Sequence, residues 1–245
     1  ADISSALETA ESYLAQGQTF FFVVKKGTFD SYKLTDQKQV ARVIPQITAT
    51  TPTRSDKPSR EQILEIISQA KDADTYLLAT TGFSGRELYE VADCAQHFYQ
   101  VGSMGCVSAI GLGLALSQPS KKVIVIDGDG ACLMRMGNMA TLGHYKAPNL
   151  LHVLLDNAHH ESTGAQETVS SSVDFAAIAA SCNYTQVISA AGTADFKAHL
   201  MQWIQDPQNS FLYQATRLGI KENLGRPKIT PLEQQQRLRS AIAAN

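Results

Sequence analysis

The sequence has almost no charge imbalance: 21 Lys and Arg stand against 23 Asp and Glu, a formal net charge of −2. Nothing in that balance marks the basic footprint of a nucleic-acid-binding protein. Long apolar runs are missing as well; stretches such as residues 20–24 and 123–126 are far short of a membrane span. The first residues carry Asp2, Glu8 and Glu11 and no basic cluster, which argues against a secretory leader. Cysteine is scarce: Cys94, Cys106, Cys132 and Cys182 are scattered without CxxC spacing. They read as buried or idle thiols in a reducing cytoplasm, not as a disulfide frame or zinc site. No repeat or low-complexity segment is visible. What is present is ordinary globular material, 44% hydrophobic and 18% charged over 245 residues. A soluble cytoplasmic enzyme domain without nucleic-acid or membrane partners is the expectation.

Ile3, Leu7, Ala10 and Leu14 recur at helical spacing, with Gly17 placed to stop the helix. A β-rich run follows at residues 19–25 (TFFFVVK). One helix and one strand cannot bury their own apolar faces, so residues 1–34 are expected to close a domain whose earlier elements lie elsewhere. Residues 35–58 shift to Thr, Gln, Lys, Asp and Pro without an apolar period and read as a linker. Ser59 and Gln62 form a capping box, which opens a second domain over residues 59–245.

Past that point short apolar strands alternate with helices. The strands are expected at 75–79, 97–101, 122–127, 150–156, 185–189 and 211–216. Helical stretches fall near 85–93, 105–117, 131–146, 174–182 and 193–205. Apolar strands on this rhythm predict an α/β fold, a doubly wound and mostly parallel sheet covered by helices on both faces. Ligands of such sheets sit beyond the carboxyl ends of the strands, where the topology switches. Thr230, Pro231 and Glu233 form a second capping box and open a last helix.

The strongest chemical signal is Gly128-Asp129-Gly130, followed by Ala131, at the end of the most apolar strand. Glycines there permit a tight turn and close backbone approach, and the next helix aims its amides at a ligand, which favours phosphate. An acid beside phosphate requires a cation between them, and magnesium suits that role. A plain helix-entry turn would use the same residues. Twenty-eight positions on, Asp156-Asn157-Ala158-His159 ends the next strand, where Asn157 can offer its amide oxygen to the same cation. An ordinary Asx turn is the competing reading. A simple nucleotide-binding module is disfavoured, because the first strand lacks GxGxxG and no GxxxxGK[ST] occurs.

Gly128-Asp129-Gly130 with Asn157 resembles the diphosphate motif of thiamine-diphosphate-dependent enzymes. The resemblance implies thiamine diphosphate and Mg2+ as cofactors, with Asp129, Asn157 and the main-chain oxygen of His159 as the metal ligands. Asp156 stands where many members have a first asparagine. Gly102-Ser103-Met104-Gly105 is similar to the family's Gly-Ser-x-Gly, in which the bulky residue, here Met104, wedges beneath the thiazolium ring. Without its neighbours Met104 would read as core packing. Thr80-Thr81-Gly82 resembles the loop over the diphosphate, although Thr and Gly after a strand are common. The run from Gly128 to Gln166, with its Leu-Met-Arg-Met-Gly and Ser-Thr-Gly-x-Gln stretches, narrows the resemblance to the phosphonopyruvate and sulfopyruvate decarboxylase branch.

That branch implies decarboxylation of a small anionic 2-oxo acid, with the cofactor carrying the chemistry and the protein holding its ring in one pose. His159, His160, Ser162 and Thr163 are the candidate polar groups near the reacting atoms; a solvated loop is the alternative for each. The family's activating glutamate belongs to a pyrimidine-binding domain, and residues 1–34 resemble only the end of that domain. The chain is therefore expected to supply half a site, completed by the pyrimidine-binding domain of a neighbouring chain in a homo-oligomer, a dimer or tetramer. A cofactor-binding module with no activity of its own remains open. Phosphonopyruvate and sulfopyruvate differ only in the anionic head group, and no single residue separates them.

Overall fold

The computed structural model describes residues 3–31, 41–49 and 57–244. The chain forms two units, Ala1–Gln39 and Val40–Asn245.

In the first unit, α1 spans Ile3–Ala15. It stops as the sequence suggests: Gly17 adopts φ +73°, its amide donates to the Leu14 carbonyl and that of Gln18 to the Tyr13 carbonyl. That pair of bonds is the Schellman closure. Phe20 then packs against Tyr13, with ring centroids 5.5 Å apart. The expected strand at 19–25 does not form; the run joins no ladder, and Phe21 and Val23 are 81% and 93% exposed. A β-rich composition supplies propensity, but a strand exists only where a partner accepts its hydrogen bonds.

The second unit is built on a seven-stranded, wholly parallel sheet. In chain order its elements are β1 (Ile47–Ala49), α2 (Arg60–Ala70), β2 (Thr75–Ala79), α3 (Phe83–Val91), β3 (His97–Tyr99) and α4 (Val107–Ser117). There follow β4 (Lys122–Gly128), α5 (Asp129–Met134), α6 (Gly137–Tyr145), β5 (Leu150–Asp156), and a small ladder of β6 (His159–His160) with β7 (Gln166–Glu167). A 3-10 turn, Val169–Ser172, leads to α7 (Phe175–Ser181), β8 (Gln186–Ala190), α8 (Thr193–Gln205), β9 (Ser210–Ala215) and α9 (Pro231–Ala243). The strand order is β1-β8-β9-β5-β4-β2-β3.

Alternate residues of the central strands face opposite layers, as a pleated strand requires. Tyr76, Leu78, Val123, Val125, Leu150 and Leu154 join one core with residues of α4, α6 and α7. Leu77, Ala79, Ile124, Ile126, Leu151 and Val153 join the other with α2, α3 and α8. Every residue of β2 and β5 is buried, which explains why both read as continuous apolar runs. Both expected capping boxes are present, Ser59 with Gln62 and Thr230 with Glu233.

Three expectations need correction. Part of the stretch read as a linker is sheet: Ile47–Ala49 pairs in parallel with β8, and the Val43 amide donates to Asn183 Oδ1 at 2.8 Å. Residues 35–40 and 50–56 of that stretch lie outside the described residues. The helix expected at 131–146 is two helices, because Arg135 leaves helical geometry at φ −136° and ψ 38°. Asn138 then anchors α6 to the start of α4 through Gly105 O at 3.0 Å and Ser108 Oγ at 3.2 Å. The strand expected at 97–101 ends at Tyr99, since Gly102 and Ser103 turn away with φ +70° and +44°.

The topology fixes where a ligand can enter. From β2 the chain crosses through α3 to β3 on one side, then through α4 back to β4 on the other side. The turns after β2 and β4 therefore diverge from adjacent strands and open a crevice at their carboxyl ends, with the end of β5 beside it.

Candidate active site

Three strand-end turns meet in that crevice. Thr80, Thr81 and Gly82 come from β2, Gly128, Asp129, Gly130 and Ala131 from β4, and Asn157, His159 and His160 from β5. Met104 closes one side, and Arg60, Phe83, Ser84, Leu155, Glu161, Ser162 and Thr216 complete the lining. The crevice thus gathers most of the residues singled out from the sequence. Ser103 and Thr163 are outside it. Ser103 is exposed on the turn before Met104, and its carbonyl accepts from Gln100 Nε2 at 2.8 Å. The Thr163 hydroxyl is used in an exposed turn, on Gln166 Oε1 at 2.9 Å and the His160 carbonyl at 3.1 Å.

Gly128 and Gly130 are not required by backbone conformation. Neither has positive φ. A Cβ at Gly130 would overlap the His160 ring, so glycine there admits the imidazole onto the turn, whereas a Cβ at Gly128 would meet nothing. Gly82 does need its freedom: it caps α3 at φ +107°, and a Cβ would lie 3.3 Å from Ser162 Oγ. The loop after β5 therefore rests on both glycine turns.

Asp129 is 3% exposed in the first turn of α5, and one carboxylate oxygen accepts from Thr168 Oγ1 at 2.5 Å. Burial pushes its carboxyl above the ordinary aspartate range and nearby Asp156 adds to this, while the Thr168 hydroxyl pulls the other way. A cation would relieve that strain. Asp156 is saturated: its oxygens accept from Ala158 N at 2.8 Å, Ser170 Oγ at 2.9 Å and Tyr213 Oη at 2.9 Å. It braces the turn instead of facing the crevice. Asn157 Oδ1 accepts from His159 N at 3.0 Å and its Nδ2 donates to Glu161 Oε2 at 2.7 Å. The Asx turn weighed from sequence is thus real, and it holds Ala158 at φ +62°, a left-handed conformation costing roughly 1 kcal/mol or more for a residue with a Cβ.

Whether these residues fit a diphosphate and its cation is tested by Thr80. Its Oγ1 is buried at the crevice wall with no hydrogen-bond partner. A buried hydroxyl left unpaired costs about 1–3 kcal/mol, and a phosphate oxygen would satisfy it. The first amides of α3 begin beside it, at Gly82. With one carboxylate, one amide oxygen and adjacent helix-start amides, the donor set fits. Among the described residues no cluster of three His, Cys, Asp or Glu side chains competes as a metal site.

Sequence reasoning missed a buried ion chain along the crevice. Arg60 donates from Nε and Nη2 to the two Glu87 oxygens, each at 2.8 Å, and from Nη1 to Glu161 Oε2 at 2.8 Å. Burial opposes the guanidinium charge, but the bonds to both glutamates outweigh it and hold the group above its ordinary range. A local hint existed: Arg60 is the first residue of α2, where the helix dipole disfavours a cation, so it must answer to anions.

Residues 81–213 match the family described as thiamine pyrophosphate enzyme, C-terminal TPP binding domain. A phosphonopyruvate decarboxylase of Streptomyces viridochromogenes is 42% identical over 186 residues, 76% of this chain and 47% of that protein. One from Streptomyces hygroscopicus is 40% identical over 182 residues, covering 74% and 45%. The sulfopyruvate decarboxylase subunit beta of Methanothermobacter thermautotrophicus is 43% identical over 127 residues, covering 52% and 68%. The chain thus spans about half the length of the phosphonopyruvate decarboxylases it matches. Among solved structures, benzoylformate decarboxylase from Polynucleobacter necessarius aligns with a TM-score of 0.57 at 13% identity, over 71% of this chain and 36% of that one. That likeness shows the fold alone.

Proposed function

The chain belongs to the thiamine pyrophosphate enzymes through their C-terminal TPP-binding domain, and from that premise we propose that it binds the diphosphate end of the cofactor for decarboxylation of an anionic 2-oxo acid. Phosphonopyruvate, giving phosphonoacetaldehyde and CO2, is the first substrate; sulfopyruvate is the second. The single observation that carries the reading is the convergence of three strand-end turns on the unpartnered Thr80 hydroxyl.

Thr80, Thr81, Gly82 and the start of α3 would hold phosphate oxygens, with Gly128, Gly130 and Ala131 opposite them. Asp129, the Asn157 amide oxygen and the His159 carbonyl would hold Mg2+. When bound, the cofactor supplies an acceptor for the electron pair released as CO2 leaves. The chain's own part is positional. Met104 gives apolar support beside Gly82, Phe83 and Leu155 limit water, and His159, His160 and Ser162 offer hydrogen bonds to the carboxylate or carbonyl oxygen. Thr163 drops out of that set, because its hydroxyl is engaged in an exposed turn.

We assign the activating glutamate to a pyrimidine-binding domain of a neighbouring chain, which would make this chain, as a carboxy-lyase, half of a shared site. Sulfopyruvate keeps its place because the chain covers 68% of a protein named as a sulfopyruvate decarboxylase beta subunit. The test is aldehyde formation from phosphonopyruvate, sulfopyruvate and pyruvate by this chain combined with such a domain, thiamine diphosphate and Mg2+. Preference for phosphonopyruvate supports the reading, and preference for sulfopyruvate changes the substrate. Cofactor binding without turnover of any of the three would leave a non-catalytic module.

A further inference from the structure

We propose that Glu161 is a positioning residue that turns the Asn157 amide so that its oxygen, not its nitrogen, serves the cofactor's cation; this rests on Asn157 being a ligand. The two ends of an asparagine amide have nearly the same shape, yet only the oxygen can ligate a metal. An ionised carboxylate accepts hydrogen bonds and donates none, so a neighbouring carboxylate selects the nitrogen. Glu161 Oε2 takes Asn157 Nδ2 at 2.7 Å. Oδ1 then has one lone pair on the His159 amide at 3.0 Å and the second available.

Glu161 is itself fixed at every corner. Its Oε2 also accepts from Arg60 Nη1 at 2.8 Å, and its Oε1 accepts from the Gly219 amide at 2.7 Å. Arg60 is held against swinging away by two bonds to Glu87 along one edge of its guanidinium. The side chains of Arg60, Glu161 and Glu87 are 8%, 9% and 2% exposed, so solvent does little to loosen the chain. Three charged groups from α2, α3 and the loop after β5 thus set the rotamer of one neutral amide. Outer partners of this kind orient a metal ligand and raise its basicity.

The alternative is that Glu161 only staples its loop to Gly219, and the test separates the two. Mg2+ is titrated calorimetrically into the 245-residue chain with excess thiamine diphosphate, for wild type, Glu161→Ala and Glu161→Gln. Removing an outer partner typically weakens a metal about 10- to 100-fold. Glu161→Ala is expected to raise the half-saturating Mg2+ concentration by that factor. Glu161→Gln keeps one acceptor oxygen, but with that oxygen on Asn157 its amide nitrogen faces the Gly219 amide, so a weakening smaller than that of alanine is expected. Glu161→Met, close in size but without an acceptor, replaces the alanine variant if that one does not fold, and should behave as alanine would. Unchanged Mg2+ half-saturation in a folded Glu161→Ala or Glu161→Met protein overturns the proposal. Wild type that binds the cofactor equally without Mg2+ overturns the ligand assignment as well.

Discussion

Replacing Arg60 by methionine tests the buried ion chain through stability alone. The substitution removes a cation that donates two 2.8 Å bonds to Glu87 and one to Glu161. Glu87, 2% exposed, would be left as a buried carboxylate without its counter-ion. Breaking a buried pair from one side costs about 3–5 kcal/mol, a large share of the roughly 5–15 kcal/mol that holds a domain together. For a unit of about 200 residues this corresponds to a fall in Tm on the order of 10 °C. Trp203, the sole tryptophan and 2% exposed, reports unfolding by its fluorescence in a urea titration. Adding Glu87→Leu should recover most of the loss. A cost below about 1 kcal/mol, or no recovery in the double variant, would show that the ion chain does not hold these elements together.

Two further substitutions probe the fold. Gly143→Ala would normally favour a helix by about 1 kcal/mol, but here the new Cβ would overlap the Cys182 carbonyl where α6 meets the end of α7. Net destabilisation of roughly 2–3 kcal/mol in urea is expected; a stabilised variant would show that the helices can separate without cost. His97 is buried, and burial together with the Lys71 charge lowers its pKa to about 4. The unfolded chain therefore binds the proton first, and stability is lost as pH falls from about 6.5 towards 4, by up to about 3 kcal/mol. His97→Phe should flatten that part of the stability profile, and an unchanged slope would assign the acid sensitivity to other groups.

Local chemistry made most of the architecture legible. The apolar runs of β2 and β5, the two capping boxes and the Gly17 stop each depend on a handful of adjacent residues. Gly128-Asp129-Gly130 and Asn157 could be paired because one crossover brings consecutive strands side by side. What could not be read depended on distant partners. The strand at Ile47–Ala49 is too short to show a period and exists only because β8 offers it an edge. The run at 19–25 has the composition of a strand and no ladder to join. Arg60, Glu87 and Glu161 are far apart in sequence and meet through the fold, as do Asp129 and Thr168. Thr163 is singled out by its residue type alone, and the local turn that engages its hydroxyl also depends on Gln166.

On the proposed reading, the turn at Asp129 and the turn at Asn157 would together hold a cation beneath the cofactor's diphosphate. The most direct measurement is calorimetric binding of thiamine diphosphate to the chain with and without Mg2+, for wild type and Asp129→Ala. Binding is expected to depend on Mg2+ in wild type and to be abolished in a folded Asp129→Ala protein. Binding indifferent to Mg2+, or equal affinity in the variant, would contradict it.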